Sequence, residues 1–250
     1  MRQPPKSLFR YRTLTAYSLG ELINETMWFS KPSAFNDPFD CALTIDQEKF
    51  NKSLAHAISI GQRRGLIPAN LPPEKHKPTD EDKAMFLKMR DRLLDVTKDI
   101  GLCCFTENAR SILMWSHYAN HHRGFCIEYS LKEGTLLEQE VSIVKYKQDM
   151  ASLTLSDLGP DKARDTVEIL WRTKAACWKY EKEWRALAPE GNKSYPTRST
   201  VLSIIFGQRM PLNDRLLVKQ AVRNNPQIKL MQAIQHESKF AMKIQRCGEA

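Results

Sequence analysis

The sequence predicts an α+β fold: a single domain over residues 1–250, with a mixed central β-sheet, flanking helices and a helical insertion at about 46–98. Three observations carry that expectation. Short apolar or alternating runs of strand length recur from residue 8 to residue 246, separated by segments of helical periodicity. The stretch from about 46 to 98 is polar, rich in Lys, Asp and Glu, and broken by Gly65, Pro68, Pro72, Pro73 and Pro78, so it lacks the apolar residues for a core of its own. Residues 200–207 are β-branched and apolar, the strongest strand signal in the chain.

Taken in order, residues 8–12 alternate as a first strand, with Phe9 and Tyr11 opposite Arg10 and Arg12. A helix follows around 18–23 and a strand over 26–30. Residues 31–40 form a turn-rich loop in which Asn36 and Asp37 bond their own backbone, Pro38 fixes the exit, and Phe35 and Phe39 pin the loop to the core. Such a loop also suits a cleft, which makes Asn36 a candidate ligand-binding residue. Helices are expected over 47–64 and 79–98, the second opened by acidic residues that favour a helix N-terminus. The strand pattern resumes at 101–106. A helix over 111–119 is closed by Gly124 at its C′ position, and a buried strand begins at Phe125. Further strands are predicted at 141–146, 183–188, 228–235 and 239–246, and helices at 160–176 and 211–224.

One stretch, Trp178-Lys179-Tyr180-Glu181-Lys182-Glu183-Trp184-Arg185, gathers two tryptophans, a tyrosine, two carboxylates and three cations in eight residues. As a strand it would place Trp178, Tyr180 and Trp184 on one buried face, with Glu181, Glu183 and Arg185 together on the other. As a helix, the same residues would make i,i+4 surface ion pairs. The strand reading predicts that the three aromatics are more buried than the two glutamates.

Composition narrows the class of protein. No apolar run approaches membrane-spanning length, and the first six residues lack the apolar core of a secretory signal. The six cysteines fit neither a zinc ribbon nor a small disulfide framework. A cytoplasmic protein without a membrane partner is the expectation. The net charge of +9 favours polyanionic partners, nucleic acid or a phosphate-bearing cofactor, as well as simple solubility. Oligomeric state leaves no mark on the sequence. His117 and His121 stand at i,i+4 on a helix, but no glutamate lies between them and no third ligand is evident, so no metal is expected. His117, Trp115 and Tyr118 are better placed to stack on or bond a ring or ribose, and His121 and His122 to cap the helix in solvent.

Several pieces together resemble a family of uncharacterised bacterial proteins known only as a domain of unknown function. They include Phe35-Asn36-Asp37-Pro38-Phe39, Met114-Trp115-Ser116-His117-Tyr118, the 178–185 stretch and Ile204-Ile205-Phe206-Gly207. More distantly the pattern is similar to the ADP-ribosyltransferase fold, which includes bacterial toxins that modify nucleic acid. That resemblance implies a toxin or phage-defence effector that uses NAD as substrate and passes through an oxocarbenium-like transition state. Arg12 or Arg10 would hold a phosphate or ribose, and Trp115, Tyr118 and His117 would clamp the nicotinamide end. Glu183, with Glu181 in a Glu-X-Glu arrangement, would be catalytic. The Ser-Thr-Ser strand motif of that fold is absent here. Two other classes fit the same residues. One is a metal-dependent nuclease using Asp37, Asp40, Glu181 and Glu183; the other is a non-catalytic module that binds nucleic acid or a nucleotide through aromatic platforms and cations.

Overall fold

A computed structural model describes residues 5–44, 47–70, 79–132, 135–152, 157, 163–197 and 199–248. The elements in chain order are β1 (Ser7–Arg12), α1 (Ala16–Ile23), β2 (Thr26–Phe29), β3 (Leu43–Thr44), α2 (Gln47–Arg63), α3 (Asp80–Thr97), β4 (Gly101–Thr106), α4 (Ile112–Tyr118) and β5 (Phe125–Ser130). They continue with α5 (Leu136–Glu140), β6 (Ser142–Ile143), β7 (Lys145–Lys147), β8 (Ala151–Ser152), α6 (Ala163–Arg172) and β9 (Thr173–Ala175). Last come β10 (Glu183–Ala188), β11 (Lys193–Pro196), β12 (Val201–Phe206), α7 (Leu212–Ala221), β13 (Lys229–Gln235) and β14 (Met242–Arg246). The fold is α+β with a large mixed sheet, as the sequence predicts. Pro72, Pro73, Pro78 and the expected helix start at Pro160 lie outside the described residues.

The chain divides into two compact units, one of residues 1–31, 100–144 and 177–250, the other of 32–99 and 145–176. The second unit contains the helices expected between 46 and 98, joined there by residues 145–176. In it β3 pairs in parallel with β8 and β7 with β9, and the buried Lys174 ammonium lies 3.4 Å from the buried Asp40 carboxylate. Asp37 makes its expected turn, its Oδ1 accepting from the Phe39 amide at 2.9 Å. Phe39, however, is 65% exposed and pins nothing. Two turn residues and Pro38 leave too little chain between the phenylalanines for both to point inward.

The first unit is built on an eight-stranded sheet in the order β14-β13-β12-β5-β1-β4-β10-β6. Only β12 and β13 run parallel, and α7 is the crossover that a parallel connection requires. Side chains alternate across the sheet, so register decides which face each residue serves. On the first face Leu8, Cys103, Phe105, Phe125, Ile127, Trp184, Ile204 and Phe206 meet Leu22 of α1, Val218 of α7 and Val222 at its C-cap. On the second, Tyr11, Cys126, Ile205 and Ala233 meet Met114, Trp115 and Ala119 from α4 and its C-cap.

Between α4 and β5 the chain takes three consecutive left-handed residues, Asn120, His121 and His122, at φ 46°, 54° and 68°. Gly124 follows them but carries no positive φ; it is required instead because a Cβ there would lie 2.1 Å from the Arg12 carbonyl oxygen. The turn is fastened to the start of the 207–210 turn by the Gly207 amide on the Gly124 carbonyl (2.8 Å) and the Arg209 amide on the His122 carbonyl (2.9 Å). His122 is half-buried, its ring stacked on Trp115 at 6.3 Å and within 3.1 Å of Ser116 Oγ, so it is not the solvent-facing cap expected of it. Since backbone cannot retreat as a side chain can, Gly124→Ala should cost about 3 kcal/mol or more, the upper end for overpacking. Urea denaturation measures this, and a loss below 0.5 kcal/mol, on the order of a neutral surface change, would mean that the turn adjusts freely.

Candidate functional site

The stretch 178–185 is neither the strand nor the helix that its pattern allows. Ala176–Glu181 is a 3-10 helix, Lys182 turns through φ 48°, and β10 begins at Glu183. Thr106 holds the junction: its hydroxyl donates to the Glu181 carbonyl at 2.5 Å and accepts from the Asn108 amide at 3.1 Å. The expected burial order is therefore reversed. Glu181 and Glu183 are each 3% exposed, while Trp178 and Tyr180 are only half-buried. Period-two alternation cannot run through a 3-10 turn; the turn carries Glu181 inward, and the register of β10 does the same for Glu183.

Each buried glutamate is bound by a side chain of the same unit. Glu183 is held bidentately by the fully buried Arg185, Nε to Oε1 at 2.7 Å and Nη2 to Oε2 at 3.1 Å. The two residues are i and i+2 on β10, hence on one face. The Tyr118 hydroxyl donates to Glu181 Oε1 at 2.6 Å, joining α4 to the 3-10 turn. Trp184, on the opposite face, sends its indole N–H to Glu107 Oε1 at 2.9 Å.

Register separates the predicted constellation. In antiparallel pairs, opposite residues project to the same face. Glu183 is opposite Thr106, Thr106 opposite Phe9, Phe9 opposite Glu128, and Glu128 opposite Ser203, so this row belongs to the second face. Arg10 and Arg12 alternate with Phe9 and Tyr11 and point to the first face. Arg12 therefore lies on the face opposite Glu183, and the two do not share a cleft. Both arginines are spent on Glu21 of α1. Arg10 Nη1 reaches Oε1 at 3.2 Å, Arg12 Nη2 bonds Oε2, and Arg10 Nη2 also bonds the Trp28 carbonyl at 2.8 Å. Burial opposes the Arg10 cation, but nearby Cys103 and Glu21 leave its pKa above the ordinary value; burial and then Arg10 push that of Arg12 down.

The remaining candidates are dispersed. Trp115 is fully buried, its indole donating to the Ala109 carbonyl at 2.9 Å and its ring edge-on to Tyr11 at 5.0 Å, which closes both faces to a ligand. His117 is exposed, with its ring 6.2 Å from that of Tyr118. Asn36 is exposed in the other unit. Among the described residues no group of three His, Cys, Asp or Glu side chains is close enough to hold a metal ion.

What the sequence reading missed is a cleft of about 330 Å³ on the second face. Its floor is apolar, with Phe9, Ile205 and Met231 from three strands, and Glu107, Asn108 and Glu128 also line it, the two carboxylates being held by the Trp184 indole and by Ser7 and Ser203. Glu128 accepts from Ser7 Oγ at 2.9 Å and from Ser203 Oγ at 2.6 Å. Two exposed cations, Arg110 and Lys229, line the cleft, and neither side chain has an ion-pair or hydrogen-bond partner among the described residues. The β4–α4 turn links this cleft to the buried glutamates, because Thr106 bonds both the Asn108 amide and the Glu181 carbonyl. A signal for it did exist: Arg110 lies just before an N-capped helix and Lys229 opens a strand, but only the sheet order brings them together.

Fold and site define an α+β protein with a two-faced mixed sheet, buried glutamates locked by an arginine and a tyrosine, and a cationic-rimmed cleft beside them. The family model described as a protein of unknown function (DUF2971) matches residues 114–186, a span that takes in Tyr118, Glu128, Glu181, Glu183 and Arg185. No curated protein and no solved structure matches the chain. No helix among the described residues is long and apolar enough to cross a membrane.

Removing one partner of a buried ion pair leaves the other charge stranded, whereas removing both can be nearly neutral. Arg185→Met should therefore cost about 3–5 kcal/mol in chemical denaturation, and Glu183→Gln combined with Arg185→Met should cost less than the sum of the two single changes. Two additive effects would show that the pair is not coupled.

Proposed function

We propose that the chain is a nucleotide-binding protein whose ligand lies in the second-face cleft, with NAD the first ligand to try. The observation that carries this reading is the pair of unpartnered cations over an apolar floor. A base or nicotinamide ring suits Phe9, Ile205 and Met231, a phosphate suits Arg110 and Lys229, and Glu128 and Asn108 offer hydrogen-bonding groups to the ring or ribose. The net charge of +9 favours encounter with such an anion, or with nucleic acid as a larger form of the same ligand.

A second reading adds glycosyl transfer from NAD, of the ADP-ribosyltransferase type, with nucleic acid as acceptor. The Tyr118–Glu181 bond favours it, since a carboxylate oriented by a phenol is suited to stabilising an oxocarbenium-like ribose as the bond to nicotinamide breaks. Glu183 is committed to Arg185, so Glu181 takes the charge-stabilising role in this reading. Toxin or phage-defence action would follow from that chemistry.

Isothermal titration with NAD and ATP tests the first reading. Saturable binding is expected, weakened about tenfold by Arg110→Ala or Lys229→Ala (roughly 1.4 kcal/mol) and by raised salt, with Lys239→Ala as the control. No nucleotide binding by the unaltered protein would overturn it. Nicotinamide release, lost by two to three orders of magnitude in Glu181→Gln as an estimate for a lost electrostatic contact of roughly that size, tests the second.

A further inference from the structure

On the first face lies a pocket of about 280 Å³ that is unconnected to the nucleotide reading, and its lining is of a different kind. Among the described residues no lysine or arginine lines it. Its polar groups are the hydroxyls of Thr26, Thr197, Ser199 and Thr200, the amides of Asn225 and Gln227, and the carboxylates of Glu21 and Glu25, set among Leu22, Val222 and other apolar side chains. Glu21 is neutralised by Arg10 and Arg12, which are bound to it, and Glu25 accepts from Asn225 Nδ2 at 2.9 Å. Two carboxylates beside two guanidiniums leave the neighbourhood close to neutral.

The pocket also holds polar valences that the protein does not fill. Tyr129, on β5, is 2% exposed and lines it, yet its phenol has no hydrogen-bond partner among the described residues. Its ring packs edge-on against Phe105 at 5.6 Å, which fixes where the hydroxyl points. Burial holds the phenol above its ordinary pKa against the opposing pull of the Arg10 cation, so it stays a neutral donor. A hydroxyl on a buried ring that opens onto a cavity without a protein partner is available to a ligand. The side chains of Thr26, Thr197 and Thr200 are likewise unpartnered among the described residues. At the rim, Glu25 sits at φ 50°, a left-handed conformation for a non-glycine residue, with its carbonyl accepting from the Thr197 amide at 2.7 Å.

We propose that this pocket is a second small-molecule site, for a neutral polyhydroxylated ligand of monosaccharide size. The size follows from a volume near the lower end for small-molecule pockets. The hydroxyl pattern follows from short donors and acceptors spaced around one side, with aliphatic carbons opposite. Neutrality follows from the balance of charge among the described residues, where the two guanidiniums bound to Glu21 offset the carboxylates of Glu21 and Glu25. Tyr129 donates to one ligand oxygen from the floor, and Thr197, Thr200 and Gln227 hold others at the rim.

Saturation-transfer NMR with D-ribose, D-glucose, myo-inositol and inorganic phosphate tests this on the full chain. At least one of the three polyols should bind saturably, and phosphate should not compete with it. Tyr129→Phe keeps the ring and its packing against Phe105, so the melting temperature should hold while affinity falls at least tenfold. Thr200→Val, at an exposed position, gives the same reading should Tyr129→Phe fail to fold. Failure of all three polyols to bind, displacement by phosphate, or unchanged affinity in the variants would overturn the proposal. Because NAD binding is assigned to the other face, the failure of either site leaves the other standing.

Discussion

Antiparallel register is the constraint on which the rest of the first unit depends. With β1 at the centre of the sheet, opposite Ile127 and Phe125 at Arg10 and Arg12 and opposite Glu128 and Cys126 at Phe9 and Tyr11, every polar residue on the central strands is assigned a face. A slip of one residue would send Arg10 and Arg12 toward α4 and bury Phe9 and Tyr11 against α1. The register is secured from both sides. Gly124 allows the chain to pass against the Arg12 carbonyl, and Glu21 fixes both arginines and the Trp28 amide (2.5 Å) on the first face.

Buried charge is arranged consistently with that division. On the first face the Glu21 carboxylate holds two guanidiniums, and on the second face the Arg185 guanidinium grips the Glu183 carboxylate. Ion pairs this deep add little net stability over apolar replacements, but they strongly penalise an arrangement that parts them. Their role is thus to specify position: the Glu183–Arg185 pair fixes the start of β10, and the Thr106 and Tyr118 bonds then fix Glu181 relative to the β4–α4 turn. The cleft on the second face inherits its rim from that turn.

Much of the fold was legible in the sequence because it rests on local patterns. The strands at 8–12, 101–106, 125–130, 183–188 and 201–206 form within a residue or two of expectation, since each is a short apolar or alternating run with a polar break. Helices α2 and α3 follow from periodicity. Very short strands such as Leu43–Thr44 and Thr173–Ala175 were not legible, since two or three residues carry no period and form only where a partner strand lies alongside. The site was legible only in part. Glu181, Glu183 and Tyr118 are adjacent to one another or bonded, as their residue types suggest. Arg10 and Arg12 were misjudged because sequence gives alternation within a strand but not which face of β1 corresponds to which face of β10. The 3-10 turn at Ala176–Glu181 is hidden for a similar reason: what aims Glu181 inward is a bond to Thr106, seventy-five positions away.

The central claim is that sheet order, not sequence proximity, assembles a nucleotide cleft from the β4–α4 turn and the edge of β13. Amide hydrogen exchange in the presence and absence of saturating NAD addresses it directly. The account predicts added protection at residues 107–110 and 229–231, with none at 26 or 197–201 on the opposite face. Protection confined to the first face, or no change anywhere at a concentration where NAD is bound, would contradict it.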